Sequence, residues 1–180
     1  MRIIGGKYRS RVLAEFPGTD VRPTGDRVKE SLFNILSLKI GGARVLDLFC
    51  GSGALGLECL SRGAKEAVFN DFSSESIRLL EKNMKALGVV KGAEGKVYTL
   101  DFSVCLDGLK GGFDLIFLDP PYRFEYGVPA LEKIAQRGLL NESGIAVYER
   151  DKPFEERIDG LEKYDERRYG RTYLTFFRKI

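Results

Sequence analysis

The stretch Asp47-Leu48-Phe49-Cys50-Gly51-Ser52-Gly53-Ala54-Leu55-Gly56 decides the fold, because it contains a strand end, a glycine loop and a helix start. The glycines at 51 and 53 let the backbone approach a ligand closely, and the third, at 56, lets the helix pack on a sheet. The helix start also offers free N–H groups. The stretch therefore predicts a ligand-binding turn between a strand and a helix, although similar glycine strings also occur in turns that bind nothing.

The same alternation of strand and helix continues along the chain from residue 44. The predicted strands are 44–48, 67–71, 96–100, 114–118 and 145–149. The helical stretches between them are 53–62, 74–87, about 102–109 and 127–137. Crossovers of this length indicate a parallel sheet covered by helices on both faces.

The C-terminal end departs from this alternation. Residues 163–169 and 173–178 are joined by the short turn Gly170-Arg171-Thr172, which fits a hairpin and excludes a crossover helix. A dehydrogenase sheet is normally all parallel, whereas an antiparallel final strand is typical of methyltransferases. The predicted fold is therefore α/β: a Rossmann-like S-adenosylmethionine-dependent methyltransferase sheet, mostly parallel, with an antiparallel last strand.

The segment before the alternation reads as a short N-terminal β-hairpin extension. Two short strands, 2–4 and 8–13, flank Gly5-Gly6. A helix follows, with Thr24 or Asp26 placed to cap its N-terminus. We expect an extension over residues 1–22 and a methyltransferase domain over residues 23–180.

Composition narrows the class of protein. The 180 residues, 43% of them hydrophobic, fit one domain with a sizeable core. The three cysteines form no CxxC pair and histidine is absent, so zinc sites, disulfide frameworks and histidine-based catalysis are poorly supported, and we expect no metal. No stretch is long and apolar enough to span a bilayer or to act as a signal peptide, so we expect a cytoplasmic protein away from membranes.

Positive charge concentrates near the N-terminus. Residues 1–44 carry nine Lys and Arg against four Asp and Glu. Four of these cations, Arg2, Lys7, Arg9 and Arg11, lie within the first 13 residues with no acid among them. Such an arm suits contact with nucleic-acid phosphates, and a solvated hairpin face is the alternative.

Acids follow the predicted strands at the edge that holds the glycine loop. Asp71 lies 20 residues after Gly51, where it can accept from both hydroxyls of a ribose. Asp101 is placed either to accept from an adenine amino group, with Phe102 packing beside it, or to cap a helix. To the cofactor we assign Asp47, Phe49, Gly51, Gly53, Asp71, Phe72, Asp101 and Phe102.

Asp47 distinguishes between two cofactors. An acid four residues before the first glycine would repel the pyrophosphate of NAD, but it suits the ammonium of S-adenosylmethionine. That cofactor also carries a sulfonium and no phosphate. Asp47 therefore favours S-adenosylmethionine.

The second motif, Asp119-Pro120-Pro121-Tyr122, directly follows the apolar strand 114–118. Ligands bind at the carboxyl ends of parallel strands, so this motif and the glycine loop share one edge. The Asp119 carboxylate and the Pro120 carbonyl can both accept hydrogens from one amine, and Tyr122 offers a ring on which an extruded base can stack. We assign catalysis to Asp119, Pro120, Pro121 and Tyr122.

These two motifs resemble the amino-methyltransferases that modify N6 of adenine, N4 of cytosine or N2 of guanine. More narrowly, three stretches look like the RsmD family, which methylates N2 of a guanine in bacterial 16S ribosomal RNA. They are the opening Arg2-Ile3-Ile4-Gly5-Gly6-Lys7-Tyr8-Arg9, the segment Arg22-Pro23-Thr24 with Asp26-Arg27-Val28-Lys29-Glu30, and the loop from Gly51 to Glu58. The family often has Phe where this chain has Tyr122, and usually Glu where it has Asp71; both exchanges retain the needed chemistry.

The resemblance implies a substrate and a partner. It places Arg22 and Thr24 near the methionine end of the cofactor and the substrate entrance. The predicted substrate-binding set is Arg2, Lys7, Arg9, Arg11, Arg22 and Thr24. The expected partner is 16S rRNA within a small-subunit ribonucleoprotein particle, bound by a monomer. The alternatives are a DNA adenine or cytosine amino-methyltransferase, an NAD-linked oxidoreductase, and an inactive RNA-binding module.

Overall fold

We describe a computed structural model of the chain over residues 1–17, 23–121 and 125–180, with residues 23 and 24 described by their backbone alone. The helices in chain order are α1 (Pro23–Ile35), the 3-10 helix Ser37–Lys39, α2 (Ala54–Ser61), α3 (Ser74–Leu87), α4 (Phe102–Gly108) and α5 (Gly127–Gln136). The strands are β1 (Arg44–Asp47), β2 (Glu66–Asn70), β3 (Gly95–Tyr98), β4 (Phe113–Leu118), β5 (Leu140–Arg150), β6 (Leu161–Tyr169) and β7 (Thr172–Lys179). None of the described helices is long and apolar enough to cross a membrane.

The strands form one seven-stranded sheet in the order β3-β2-β1-β4-β5-β7-β6. Strands β1 to β5 are mutually parallel, and β7 is antiparallel to both β5 and β6. The predicted mostly parallel sheet with an antiparallel last strand is confirmed. The last strand, β7, lies beside β5, so the two outermost strands of the sheet are β6 and β3.

Most predicted boundaries shift by one or two residues, and the starts of α1 and β5 need a physical account. Helix α1 begins at Pro23, so a cap at Thr24 or Asp26 is wrong, since both residues lie inside the helix. Proline suits the first turn of a helix because it has no N–H to lose, and Asp26 remains in the first turn, where negative charge is favourable. Strand β5 begins at Leu140 because that residue pairs with Phe113 before a register shift in the ladder.

Alternating side chains along the strands divide the core between the two faces of the sheet. Val45 packs into a cluster with residues of α1, α2 and α3, whereas its neighbour Leu46 packs into a second cluster with residues of α4 and α5. Successive strand residues point to opposite faces, so a strand buried on both faces needs an unbroken apolar run. The parallel strands therefore read as apolar runs, as the sequence shows for residues 115–118.

The glycine loop has the conformation that its sequence predicts. Gly53, the N-cap residue of α2, has a φ of +81°, a region that side chains disfavour. A Cβ on Gly56 would lie 2.3 Å from Cε1 of the Phe69 ring on β2. The third glycine is therefore required because helix α2 lies directly against the sheet.

The N-terminal segment folds back on itself, but its strands are shorter than predicted. The ladder expected between residues 2–4 and 8–13 is reduced to one antiparallel bridge, between Arg2 and Val12. The segment turns through Gly6 and Ser10, with φ values of +77° and +67°, and this tight turn leaves few residues in register.

A buried carboxylate fixes this segment to the rest of the protein. Glu58 on α2 is fully buried and accepts hydrogen bonds of 2.8 Å from the backbone N–H groups of Ile4 and Gly5. The Glu58 carboxylate also pairs with Lys29 Nζ at 3.2 Å and with Arg62 Nε at 2.7 Å. These partners offset the cost of burying its charge. The boundary between an extension at 1–22 and a domain at 23–180 stays a prediction.

Candidate active site

A cavity of about 1300 Å³ opens at the carboxyl ends of the parallel strands. Its walls come from the glycine loop after β1, from the residues that follow β2 and β4, and from the start of α4. The turn between β6 and β7 and parts of the N-terminal segment and α1 complete it. The predicted convergence of the two motifs on one edge of the sheet is therefore present in the structure.

Asp47 lies at the bottom of this cavity, at the end of β1. Its side chain is 2% exposed, and its Oδ2 accepts a hydrogen bond of 2.9 Å from the N–H of Gly56. Burial raises the pKa of Asp47 to about 7, with the charge of Asp71 adding to the rise and the Gly56 hydrogen bond opposing it. A carboxylate in this state gains from any cation that enters the cavity.

Asp71 follows β2 and accepts hydrogen bonds from two backbone segments beside the cavity. Its Oδ2 accepts from Gly51 N–H and its Oδ1 accepts from Ser73 N–H, each at 2.9 Å. Each carboxylate oxygen has a second lone pair, so both can also accept a ligand hydroxyl. Asp71 therefore links the glycine loop to the start of α3 while facing the cavity.

Asp101 and three aromatic rings form another wall. Asp101 caps α4 through a bond of 2.8 Å from Ser103 N–H to its Oδ1, so the cap role left open by the sequence is present. The Phe49 and Phe102 rings lie 5.6 Å apart, and Tyr126 stacks on Phe49 at 6.3 Å with 8° between planes. Such a wall suits a flat, apolar ligand surface.

Phe72 also lines the cavity and is 80% exposed. An apolar ring with so much open surface is unusual for a Phe, and it loses contact with water when a ligand fills the cavity. The assignment of Phe72 to the cofactor stays a prediction.

Asp119, directly after β4, shares its side of the cavity with Glu149 of β5. Leu118 pairs with Tyr148 in the parallel ladder, so the next residues, Asp119 and Glu149, are neighbours across the two strands. Asp119 is exposed towards the cavity, and Glu149 lines the same cavity. Desolvation raises the pKa of Asp119 well above its usual value, and the charges of Glu149 and Asp47 raise it further. Of the two prolines, Pro121 is exposed and lines the cavity, whereas Pro120 is buried and is not among the lining residues, so its assigned role stays a prediction.

The charge of the walls tests which cofactor fits. The acids that line the cavity are Glu15, Asp26, Asp47, Asp71, Asp101, Asp119 and Glu149. Of the two basic side chains that line the cavity, Lys29 is 3% exposed and already paired with Glu58, and Arg171 is exposed at the turn between β6 and β7; the Met1 ammonium, which also belongs to a lining residue, is paired with Glu15. Such walls repel a pyrophosphate and attract a ligand with an ammonium and a sulfonium. The side chains that line the cavity therefore fit S-adenosylmethionine and do not fit NAD.

The four basic residues of the N-terminal arm differ in whether an acid lies beside them. Arg2 lies 3.9 Å from Asp26, and Lys7 pairs with Glu94 at 3.2 Å. Arg9 and Arg11 are exposed, and neither forms an ion pair with another described residue. The fold therefore brings acids to two of the four cations and leaves the other two for a partner.

Three residues of the predicted site fall outside this description. Arg22 and Tyr122 lie outside the described residues, and the side chain of Thr24 does as well. Their assigned roles stay predictions.

The structure adds three residues that the sequence analysis missed, Tyr126, Glu149 and Arg171, all of which line the cavity. Tyr126 directly precedes α5 and Glu149 is the penultimate residue of β5, so neither lies in a recognisable motif. One signal for Glu149 was available: it ends the strand predicted at 145–149, and ends of parallel strands form the binding edge.

Comparisons with known proteins support one family. A family model described as conserved hypothetical protein 95 matches residues 1–178. The chain is 38% identical to YlbH of Bacillus subtilis, provisionally named an rRNA methyltransferase, with 99% of each protein covered. It is also 38% identical to ribosomal RNA small subunit methyltransferase D of Haemophilus influenzae, over 85% of this chain and 81% of that protein.

Comparison with solved structures supports the same family. The solved structure of yhhF from Escherichia coli, provisionally named a methyltransferase, superimposes with a TM-score of 0.85. Its sequence is 32% identical over 99% of this chain and 97% of that one. With the family model covering nearly the whole chain and the sheet and cavity as described, the chain belongs to the RsmD family, on the fold of the S-adenosylmethionine-dependent methyltransferases.

Proposed function

We propose that this protein transfers a methyl group from S-adenosylmethionine to the N2 amine of a guanine in 16S ribosomal RNA. The proposal rests on one observation above the others, the neighbouring carboxylates of Asp119 and Glu149 on the cavity wall. The name of the Haemophilus influenzae relative, which refers to the small-subunit ribosomal RNA, supports the choice of RNA.

Two adjacent acceptors favour guanine over the other amino-bearing bases. The Watson–Crick edge of guanine presents the N1–H next to the N2 amine, so neighbouring groups on the base both donate hydrogens. Adenine and cytosine instead place an acceptor nitrogen next to the amine, and an acceptor facing a carboxylate is repelled. Asp119 thus binds the amine to be methylated, and Glu149 binds N1–H.

Other residues of the same cavity would hold the cofactor. Asp47 binds its ammonium, Asp71 its ribose hydroxyls, and Phe49 and Phe102 pack against its adenine. When bound, the cofactor would supply a methyl group on a positively charged sulfur; the S–C bond would break as the new N–C bond forms, and the sulfur would become a neutral thioether.

The contribution of Asp119 is positional and electrostatic. Its carboxylate and the Pro120 carbonyl orient the amine so that the nitrogen lone pair faces the methyl group. As the nitrogen gains positive charge, the Asp119 carboxylate stabilises it, and the surplus proton then leaves through this carboxylate to solvent. Because the pKa of Asp119 is raised, its carboxylate is a stronger base than an ordinary aspartate.

The substrate must present a single base to a cavity at the edge of the sheet. Bases in single-stranded RNA loops are unstacked at low cost, so such loops suit this geometry. Arg9 and Arg11, exposed on the N-terminal arm, contact the phosphates near the target. A cytoplasmic monomer acting on a small-subunit ribonucleoprotein particle completes the proposal.

The test is to methylate defined RNA and identify the product. Purified protein, S-adenosylmethionine and small-subunit rRNA from a strain lacking the protein are incubated, and nucleosides are separated by mass spectrometry. We expect N2-methylguanosine, with none in RNA transcribed with inosine, which lacks the N2 amine. N6-methyladenosine, N4-methylcytosine or methylated duplex DNA as the main product would refute the proposal.

A variant pair ties the product to the cavity. Asp119→Ala should bind S-adenosylhomocysteine as the wild type does but lose roughly 10²- to 10³-fold in single-turnover rate, by analogy with oxyanion-hole donors. Asp119→Asn retains one oxygen acceptor without the charge and should fall between the two. A folded Asp119→Ala protein with the wild-type rate would show that this carboxylate takes no part.

A further inference from the structure

The topology brings the turn between β6 and β7 to the mouth of the cavity. Because β7 is antiparallel to β5, the start of β7 lies beside the carboxyl end of β5, as the pairing of Tyr173 with Arg150 shows. The turn residues Tyr169, Gly170, Arg171 and Thr172 all line the cavity. The hairpin thus contributes to the cavity mouth as well as closing the sheet.

The turn carries two exposed guanidinium groups. Arg171 is exposed and lines the cavity, and Arg168 is exposed on the strand just before the turn. Arg168 Nε donates to the carbonyl of Gly170 at 3.0 Å, and its guanidinium lies 5.5 Å from the centre of the Tyr173 ring. These contacts restrain Arg168, so less side-chain entropy is lost when its remaining N–H groups bind a ligand.

Other arginines of the hairpin are already occupied. Arg167 pairs with Asp165 at 2.9 Å, and Arg178, near the other end of β7, pairs with Glu162 at 2.7 Å. Arg168 and Arg171 have no ion pair with any residue in the described part of the chain. The unpaired cations of this hairpin are therefore at the cavity end.

The acids of the cavity create a need for these cations. RNA carries one negative charge per nucleotide, and the walls around Asp119 repel phosphates. A base can enter this cavity only if the phosphates on either side of it remain outside, next to positive charge. The N-terminal arm supplies such charge through Arg9 and Arg11, and the turn between β6 and β7 supplies it at the cavity mouth.

We infer that Arg168 and Arg171 form an RNA phosphate-binding site, which holds the backbone beside the extruded nucleotide. The inference rests on the proposed RNA substrate and adds the C-terminal hairpin to the surface that binds it. The guanidinium groups bind phosphate oxygens without reading sequence, so they position the strand while the cavity selects the base.

The test measures RNA binding by the double variant Arg168→Ala/Arg171→Ala. Fluorescence anisotropy with labelled fragments of small-subunit rRNA, at a series of salt concentrations and with saturating S-adenosylhomocysteine, gives the affinity and its salt dependence. We expect weaker binding and a slope of log K against log salt that is flatter by somewhat under 2, at about 0.7 to 0.9 per phosphate contact. The affinity for S-adenosylhomocysteine alone should not change.

The matched control is Arg157→Ala/Arg178→Ala, which removes the same charge. Arg178 lies at the other end of the hairpin, and Arg157 lies just before β6. Both control arginines are exposed and ion-paired, with Arg157 3.5 Å from Asp159, and surface pairs contribute little to stability. A control slope equal to that of the wild type supports a local site. An equal loss in both variants would instead indicate a general effect of net charge and overturn the inference.

Failure of the inference is distinguishable from failure of the proposed function. If wild-type protein methylates the RNA while Arg168→Ala/Arg171→Ala keeps the wild-type affinity and slope, the hairpin site is wrong and the function stands. If the double variant loses affinity for S-adenosylhomocysteine, Arg171 belongs to the cofactor site and the inference is again wrong. A wild-type protein that neither binds nor methylates the RNA refutes both.

Discussion

The Oδ2 atom of Asp47 accepts a hydrogen bond of 2.9 Å from the backbone N–H of Gly56, the third glycine of the loop. The last residue of the first strand and the start of the first crossover helix are thereby joined at the bottom of the cavity. The same carboxylate is buried and has a pKa of about 7. Asp47 therefore both joins these two elements and is the group proposed to bind an ammonium.

Asp47 should make the stability of the free protein depend on pH. Its folded pKa is about 7, above the value near 3.9 of an unfolded aspartate, so the folded state holds a proton that the unfolded state releases. This contribution is fully present below about pH 4 and is lost as the pH rises through 7. Asp47→Asn, which keeps an acceptor for Gly56, should therefore gain in urea-unfolding free energy relative to wild type between pH 5 and 8, by up to about 1.4 kcal/mol per pKa unit.

The affinity for S-adenosylhomocysteine should change in the opposite sense. An ionised Asp47 attracts the ligand ammonium, so wild-type affinity should rise as the pH passes 7. Asp47→Asn should bind more weakly, with little dependence on pH. Calorimetric titrations at pH 6 and 8 measure both, and an identical pH dependence in the two proteins would contradict the role of Asp47.

Asp71→Ala should weaken cofactor binding and also reduce stability. The substitution removes the acceptor for the ribose hydroxyls, a charged hydrogen bond typically worth about 1.5 to 3 kcal/mol. It also leaves the N–H groups of Gly51 and Ser73 without this acceptor. Calorimetric titration of the folded variant with S-adenosylhomocysteine measures the first effect, and thermal unfolding measures the second.

The control for Asp71 is Asp114→Ala, near the amino end of the central strand β4 and so at the opposite end of the parallel strands from the cavity. Asp114 likewise accepts two hydrogen bonds, from Arg44 N–H at 2.8 Å and from Asn141 Nδ2 at 2.7 Å. It should lose comparable stability yet retain wild-type cofactor affinity. Equal cofactor affinity in both variants would mean that Asp71 is a structural residue alone.

Glu149→Gln should shift the pH profile of methyl transfer to lower pH. The charge of Glu149 raises the pKa of Asp119, and the rate depends on the ionised form of Asp119, so removing that charge lowers the pH at which the rate rises. Single-turnover rates between pH 5 and 9 measure the shift. The Asp119→Asn profile should lose this rise, and an unshifted Glu149→Gln profile would show that the two carboxylates do not interact.

Arg9→Ala/Arg11→Ala should lower RNA affinity across sequences and flatten the slope of log K against log salt by somewhat under 2, at about 0.7 to 0.9 per phosphate contact. Both side chains are exposed and form no ion pair with a described residue. Lys7→Ala, whose ammonium is paired with Glu94, should change the slope less than either arginine does alone. If the arginine variant keeps the wild-type slope, the arm is a solvated surface.

Gly56→Ala should destabilise the protein by roughly 1 to 3 kcal/mol through overpacking, because its Cβ would meet the Phe69 ring. Combining it with Phe69→Leu, which removes the clashing ring atoms, should recover part of the loss. Gly108→Ala, near the end of α4 and with no atom within 4 Å of its Cβ, should be neutral or slightly stabilising. Urea unfolding of all four proteins checks the prediction, and a Gly56→Ala protein as stable as wild type would contradict close packing here.

The fold could be predicted because its signals are local. Each signal depends on neighbours within a few residues: an apolar run such as residues 115–118, the glycine loop, and the short turn between the last two strands. Even Gly56, whose contact with Phe69 is tertiary, was identifiable because the loop pattern fixes where helix and sheet must meet. The same reasoning found Asp47, Asp71, Asp101 and Asp119. Each lies at or just after the end of a strand that the sequence marks, and such ends share one edge of the sheet.

The sequence by itself therefore determined the order of strands and helices, the two motifs and the edge at which they meet. Only the tertiary structure decided which side chains meet across the sheet. Glu149 becomes a neighbour of Asp119 through the register of β4 and β5, and the turn holding Arg171 reaches the cavity because β7 inserts beside β5. The same holds for Lys7, whose partner Glu94 lies 87 positions away in the chain. Such contacts depend on strand register and packing between distant segments, which no local pattern of residues specifies.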